Sequence, residues 1–426
     1  MIVAIFVLSL LAAMALGVPI AFSLIACGMA MMFYMDMFDA QIIAQNMLSG
    51  ADSFPLMAIP FFVLAGELMN AGGISRRIVD VAGAWVGHFK GGLGYVAIFA
   101  CVVMASLSGS AIADTAAVAA LLIPMMRKAG YDIPRASGLI AAGGIIAPVI
   151  PPSIGFVMLG VVGNISITQL FIAGIVPGLL MALALVLTWV YQSHRDDMPR
   201  GERMPLRQRL SATAAGFWAL LLPLLIVGGL KAGYFTPTEA AVVAVFYALF
   251  VGFVVYRELR WSQLYGLLLA SAKTSAVVMF LVAAAQVSAW LIAAANIPMV
   301  VADMLQPLVG SPVLLMLVIM ALIFAVGTAL DFAPTILILV PVLMPVVRMA
   351  GIDPVYFGVL FIMNNAIGLI TPPVGTVLNV VCGVARERME PVIRAVMPYL
   401  LAQTAVLLLL TLFPQLVMAP LRFFTR

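Results

Sequence analysis

Long apolar runs, separated by short stretches that hold nearly all the charges, repeat from end to end of this 426-residue chain. Residues 2 to 35 are apolar for longer than the ~20 residues one membrane crossing needs. Gly17-Val18-Pro19 interrupts them, which predicts two short helices joined at that break. No Lys or Arg precedes this run, so it reads as a first span and not as a cleaved signal. The stretch 36 to 54 holds Asp36, Asp39 and Asp52 but no basic residue, and reads as an external loop. A span over 55 to 69 leads to Arg76-Arg77, where the apolar spacing over 74 to 90 predicts an amphipathic arm helix on the cytoplasmic surface.

The next segment, 91 to 126, starts beside Lys90 and ends beside Arg127-Lys128. With basic residues at both ends it reads as a re-entrant hairpin whose tip, Ser106 to Asp114, lies near mid-membrane; two short crossings joined by an external SGSAIAD loop are the alternative. A broken helix over 136 to 163 and a span over 174 to 192 follow. The stretch 194 to 210, with five arginines against Asp196, Asp197 and Glu202, reads as a cytoplasmic linker between two halves, 1 to 193 and 211 to 426. The second half offers spans near 213 to 230, 237 to 256 and 274 to 295, which leaves Asp303 to Pro312 outside. A second hairpin over 313 to 347 with its tip at Val326 to Pro334, a broken helix over 355 to 383 and a last span over 396 to 418 complete it.

This order repeats because the sequence does. Leu122 to Pro152 reappears, ungapped, as Leu343 to Pro373 at a shift of 345 − 124 = 221 positions. Ten of the 31 pairs are identical where about three would match by chance in so biased a composition, and they include Arg127/Arg348, Gly130/Gly351, Asp132/Asp353 and both Pro-Pro pairs. Five crossings per half is an odd number, so the halves lie inverted in the membrane, the plan of many secondary transporters. The same count puts both termini outside, which Arg422 and Arg426 fit poorly. The fold class expected is therefore an all-α polytopic membrane protein, an inverted-topology repeat with two re-entrant hairpins and two discontinuous helices.

Composition agrees: 65% of residues are hydrophobic and 9% charged, against about 25% charged in a soluble domain. A net charge of +4 spread over loops calls for no nucleic-acid partner. Cys27, Cys101 and Cys382 lie in apolar segments at unrelated spacings and read as small packing residues. No GxxxxGK[ST] occurs, and no cluster of His, Cys or acids lies at metal or triad spacing, so neither ATP hydrolysis through a P-loop nor a membrane enzyme is supported.

The chemistry implied is ion coordination. Proline breaks a helix and frees carbonyl oxygens, which a membrane interior tolerates only where protein, water or an ion satisfies them. Each half sets small hydroxyl residues or glycine at a hairpin tip beside such a break: Ser108 and Ser110 with Ala147 to Pro152, Gly327 and Thr328 with Gly368 to Val374. Hydroxyls and carbonyls without clustered carboxylates suit a monovalent hard cation such as sodium. Asp114 and Asp331 follow the tips, either as helix N-caps or first-turn acids that satisfy orphan amides or in direct contact with ion or substrate. Helix N-termini at both tips favour an anionic substrate. Asn364, Asn365 and Asn379 line the cavity or bond between helices. Glu67, Glu239 and Lys273, read as lying at helix ends, cap, snorkel or couple; His88 and His194 read as solvated surface residues.

GADSFPLMAIPFFVLAGELMNAGG, MASLSGSAIADTAAVAALLIPMM, APVIPPSI, YFTPTEAA and GLITPPVGTVLNV together resemble the large membrane subunit of tripartite ATP-independent periplasmic (TRAP) transporters, over essentially the whole chain. Within that family MFDAQIIAQ and AAVVAVFYALF resemble the 2,3-diketo-L-gulonate systems. The resemblance implies an inner-membrane importer of the ion-transporter superfamily, working as an elevator and driven by sodium ions, with no other cofactor. It implies two partners, a small four-helix membrane subunit and a periplasmic binding protein that delivers a carboxylate or sugar acid. Carried onto this chain, the first sodium site is formed by Ser108, Ser110, Ala147, Ile150 and Pro152, and the second by Gly327, Gly368, Thr371 and Val374. Asp114, Thr328, Asp331, Asn365 and Asn379 are the candidates for the substrate cavity. Ala147 stands where the second half has Gly368, which leaves carbonyl coordination open, since a carbonyl needs no particular side chain. A self-sufficient carrier of the same plan and the permease of an ATP-driven importer are the competing classes; the latter has no reason for twinned Pro-Pro breaks.

Overall fold

The computed structural model describes residues 2–196 and 198–425; Asp197 and Arg426, counted above among the loop and terminal charges, lie outside them. Helices make up the described chain, and no strand occurs among those residues. The first group is α1 (Ile2–Ala15), α2 (Ile20–Tyr34), α3 (Ala40–Ala51), α4 (Ala58–Ala71) and α5 (Ile74–Val86). Next come α6 (Gly92–Ser108), α7 (Ala111–Lys128), α8 (Ile133–Gly144), α9 (Ile154–Gly163) and α10 (Ile167–Arg195). The second half opens with α11 (Leu206–Lys231), α12 (Pro237–Phe250), α13 (Trp261–Ala294) and α14 (Ile297–Val309). It closes with α15 (Pro312–Gly327), α16 (Phe332–Met349), α17 (Pro354–Gly368), α18 (Thr376–Ala385), α19 (Met389–Leu412) and α20 (Gln415–Thr425). Seven helical segments are long and apolar enough to cross a membrane.

The duplication is visible element by element. Adding 221 to the bounds of α7 gives 332 and 349, the bounds of α16. The hairpins are therefore α6–α7 and α15–α16, and the broken helices are α8–α9 and α17–α18. Packing exchanges between the copies: α7 lies on α18, and α16 lies on α9. Helix α17, packed on α15, α10, α19, α16 and α9, is buried at every position from Val355 to Gly368. A helix apolar around its whole circumference can be satisfied that way inside a protein.

Several local expectations change. The stretch 36 to 54 is not a plain loop: Asp39 accepts the Gln41 N–H at 2.7 Å and starts α3, as an Asx N-cap does. Asp303 likewise lies in a helix, α14. Lys273 is not at a helix start but inside the 34-residue α13. In its polar stretch the Thr274 hydroxyl is satisfied within the helix, on the Ala270 carbonyl at 3.2 Å. The arm helix α5 stops at Val86, four residues early, and the last span divides at Phe413-Pro414 into α19 and α20. Pro414 lacks the N–H that would continue the helix. His88 is half-buried, its ring 4.2 Å from that of Phe89, and not solvated as expected; His194 is exposed.

Candidate functional site

Both hairpin tips are tighter than the sequence predicts. α6 runs on through Ser108, and only Gly109 and Ser110 separate it from α7. Gly109 takes φ +62°, a left-handed conformation that glycine adopts without penalty. It also lies against the first break: a Cβ here would stand 2.7 Å from Ser153 Cα and 3.1 Å from Ile154 N. Ser110 is the N-cap of α7, its hydroxyl accepting the Ala113 N–H at 3.4 Å. Asp114 is thus not the N-cap of α7, and of the two placements considered for it keeps that of the first-turn acid. Asp114 sits in the first turn, buried, and accepts a hydrogen bond of 2.5 Å from the Ser108 hydroxyl.

At the first break the carbonyls of Ala147, Ile150 and Pro152 accept no hydrogen bond among the described residues. Ser153 fastens the turn, donating to the Pro148 carbonyl at 2.6 Å and accepting the Phe156 N–H at 3.2 Å as the cap of α9. Asp114 Oδ2 and the Thr115 hydroxyl, both buried, are also without partners. Unpaired buried oxygens in a dry interior are costly. They fit a hard cation, which takes oxygen ligands.

The second tip spans 328 to 331. Asp331 occupies the N-cap position of α16 but makes no side-chain cap bond, and its Oδ1 is buried without a partner. The register therefore pairs Asp331 with Ser110, since 331 − 110 = 221, and sets Thr335 opposite Asp114. Gly327 packs on Gly368, where a Cβ would stand 2.7 Å from the Gly327 carbonyl carbon and oxygen. Gly368 O accepts the Thr371 N–H at 3.0 Å and Val374 O accepts the Asn379 amide at 2.9 Å. Each carbonyl keeps a second lone pair. Thr371 is buried with its hydroxyl on Ile367 O at 2.8 Å; Thr328 bonds back to Ala325 O at 2.8 Å.

The tips converge. Ser110 and Asp331 line one cavity of about 140 Å³, closed on one side by Thr274 and Val278 of α13. Asn365, fully buried on α17, donates to the Phe332 carbonyl at 2.9 Å and so ties the second tip to its broken helix. Asn379 and Val374 are exposed and do not line this cavity. Asn364 turns to the Met320 carbonyl at 2.6 Å, the interhelical bond considered for it. Glu239 closes a capping box with Thr236, and Glu67 lies within α4. Sequence reasoning missed Ser153, Thr115 and Thr274. Ser153 was findable, because a serine directly after Pro-Pro and ahead of an apolar run is an N-cap signal.

Residues 7–416 match the model of one protein family, described as "Tripartite ATP-independent periplasmic transporter, DctM component". The chain is 57% identical to the 2,3-diketo-L-gulonate TRAP transporter large permease protein YiaN of Escherichia coli (strain K12), over 99% of each chain. It is 41% identical to the sialic acid TRAP transporter large permease protein SiaM of Vibrio cholerae, over 94% of this chain and 93% of the other. Among solved structures it is similar in fold to the YdaH transporter of Alcanivorax borkumensis, with a TM-score of 0.63 at 15% identity, covering 88% of this chain and 89% of that one.

Proposed function

Because the chain belongs to the DctM component family of tripartite ATP-independent periplasmic transporters, inner-membrane transport proteins and not enzymes, we propose that it is the sodium-coupled large permease of a sugar-acid importer. The substrate proposed is 2,3-diketo-L-gulonate or a near relative, on the likeness to YiaN. The observation that carries the ion-coupled reading is the convergence of Ser110 and Asp331, repeat mates at two helix starts, on one cavity beside breaks with unpaired oxygens.

The first sodium ion is held by Ser108, Ser110 and the carbonyls of Ala147, Ile150 and Pro152, and the second by Gly327, Gly368, Thr371 and Val374. Asp114 lies beside the first ion. The substrate's carboxylate lies between the tips, where the positive ends of α7 and α16 and the bound sodium offset its charge. A cavity of about 140 Å³ is too small for a sugar acid, since ligand pockets run to ~300 Å³ or more. In this reading the hairpins and broken helices move as one body against a scaffold that includes α13, in elevator fashion, and open the cavity to either side. An inward sodium ion gains about 2.3 kcal/mol per 100 mV of membrane potential, so two ions drive uptake of a monoanion.

A tripartite system has two further components: a small membrane subunit and a periplasmic binding protein. The test is uptake of labelled 2,3-diketo-L-gulonate into proteoliposomes, with and without sodium, the small subunit and the binding protein. Uptake that needs all three is expected. Uptake undiminished when potassium replaces sodium sinks the coupling, and uptake by this chain alone makes it a self-sufficient carrier.

A further inference from the structure

The two arginines that the duplication pairs, Arg127 and Arg348, each reach across to the other half. Arg127, in the last turn of α7, donates to the Ala385 carbonyl at 2.7 Å, at the end of α18. Arg348, in the last turn of α16, donates to the Gly163 carbonyl at 3.0 Å and the Asn164 carbonyl at 3.4 Å, at the end of α9. The donors are repeat mates, 127 + 221 = 348, and the targets correspond in place, since Gly163 and Ala385 are the last residues of α9 and α18. One such contact would be an ordinary surface hydrogen bond. Two, related by the duplication and crossing between its copies, form a matched pair.

Their chemistry follows from what meets there. At each place two helices end side by side, α7 with α18 and α16 with α9. The last carbonyls of a helix have no partner within it and carry the negative end of its dipole. Two such ends together repel, and a guanidinium between them pairs carbonyls of one helix while its charge serves both. Arg127 has in addition Glu387 at 3.6 Å.

α9 and α18 are ten residues long, so each arginine acts about 15 Å from the break at the other end of the rod it holds. Neither touches the cavity between the tips. We infer that Arg127 and Arg348 are positioning residues that work crosswise: the arginine of each half's hairpin fixes the other half's broken helix, and with it that half's break. Arg127 then governs the second break, around Thr371, and Arg348 the first, around Ile150 to Ser153. The clasp itself is read from geometry alone; its effect on sodium rests on the transport reading above.

Hydrogen–deuterium exchange on the full-length protein separates the two. Arg127→Ala is expected to speed exchange in Thr376–Ala385, most in its last turn, by about tenfold, and to leave Ile154–Gly163 unchanged; Arg348→Ala gives the reverse. In proteoliposomes carrying both other components, each variant raises the sodium concentration for half-maximal uptake several-fold with little loss of maximal rate. Adding Thr371→Ala to Arg127→Ala worsens it little further, whereas adding it to Arg348→Ala multiplies the two effects. Arg→Lys variants, which keep the charge, show the same exchange pattern at smaller amplitude and carry the test if the alanine variants do not fold. Faster exchange in the variant's own half, equal change in both halves, or no change overturns the inference. Sodium-independent uptake by the unaltered protein defeats the coupling reading while leaving the exchange result to stand.

Discussion

At the first break the hairpin tip rests on the outgoing half-helix, with Gly109 against Ser153 and Ile154; at the second it rests on the incoming one, with Gly327 against Gly368. Ser153 caps α9, whereas its repeat mate, at 153 + 221 = 374, is an exposed valine, and α18 starts from Gly375 with no side-chain cap. Backbone bonds turn the chain at both breaks, but the first leaves the Ala147, Ile150 and Pro152 carbonyls without a donor among the described residues, whereas at the second Gly368 O takes the Thr371 N–H and Val374 O the Asn379 amide. Duplication has kept the frame of helices while the chemistry at the two centres has moved apart.

The largest effects test the contacts that differ. Gly109→Ala meets both a left-handed φ and backbone atoms at 2.7 and 3.1 Å, and is expected to cost roughly 3 to 4 kcal/mol, read as a lower melting temperature in detergent. Gly368→Ala meets only the Gly327 backbone and costs about 1 to 3 kcal/mol. Gly130→Ala, at φ +79° with nothing within 4 Å, is the control at ~1 kcal/mol. Equal losses at Gly109 and Gly368 would mean that the two tips close alike after all.

Next in size are the hydroxyls. Ser108→Ala removes the one hydrogen bond that the buried Asp114 carboxyl makes among the described residues. Leaving a buried polar group unsatisfied costs about 1 to 3 kcal/mol, so half-maximal uptake is expected to need roughly tenfold more sodium. Thr371→Ala removes a hydroxyl that bonds back from the break to the Ile367 carbonyl of α17, and a threefold shift is expected. A larger effect at Thr371 than at Ser108 would reverse the order of the two centres.

What the sequence made legible follows the same line. Prolines, glycines and basic loop residues act locally, so breaks, hairpins and the duplication were readable from spacing alone. The pairing of Ser110 with Asp331 was not, because Asp114 and Asp331 are the like residues and chemical likeness drew attention away from register. Helix α3 was hidden because its apolar positions alternate with Gln41, Gln45, Asn46 and Ser49, and α14 because its apolar run follows α13 after a break of only two residues. Which carbonyls stay unpaired depends on contacts between segments far apart in the chain. The Arg127 and Arg348 contacts each span more than 180 positions.

The smallest expected effects compare two asparagines of one broken helix. Asn365 is fully buried, and its amide joins α17 to the Phe332 carbonyl at the first position of α16. Phe332 is half-buried, so water in part replaces the lost donor, and removing the amide costs about 0.5 to 1 kcal/mol. Asn365→Ala is therefore expected to lower the melting temperature and slow uptake several-fold. Asn379 is exposed and donates to Val374 O within the break itself. Water can replace that donor, so Asn379→Ala is expected to change stability by ~0.5 kcal/mol or less and to leave substrate concentration dependence nearly unaltered. A large rise in the substrate concentration needed for half-maximal uptake in Asn379→Ala would place the exposed side of the second break in the substrate's path, and the two centres would then differ in function as well as in closure.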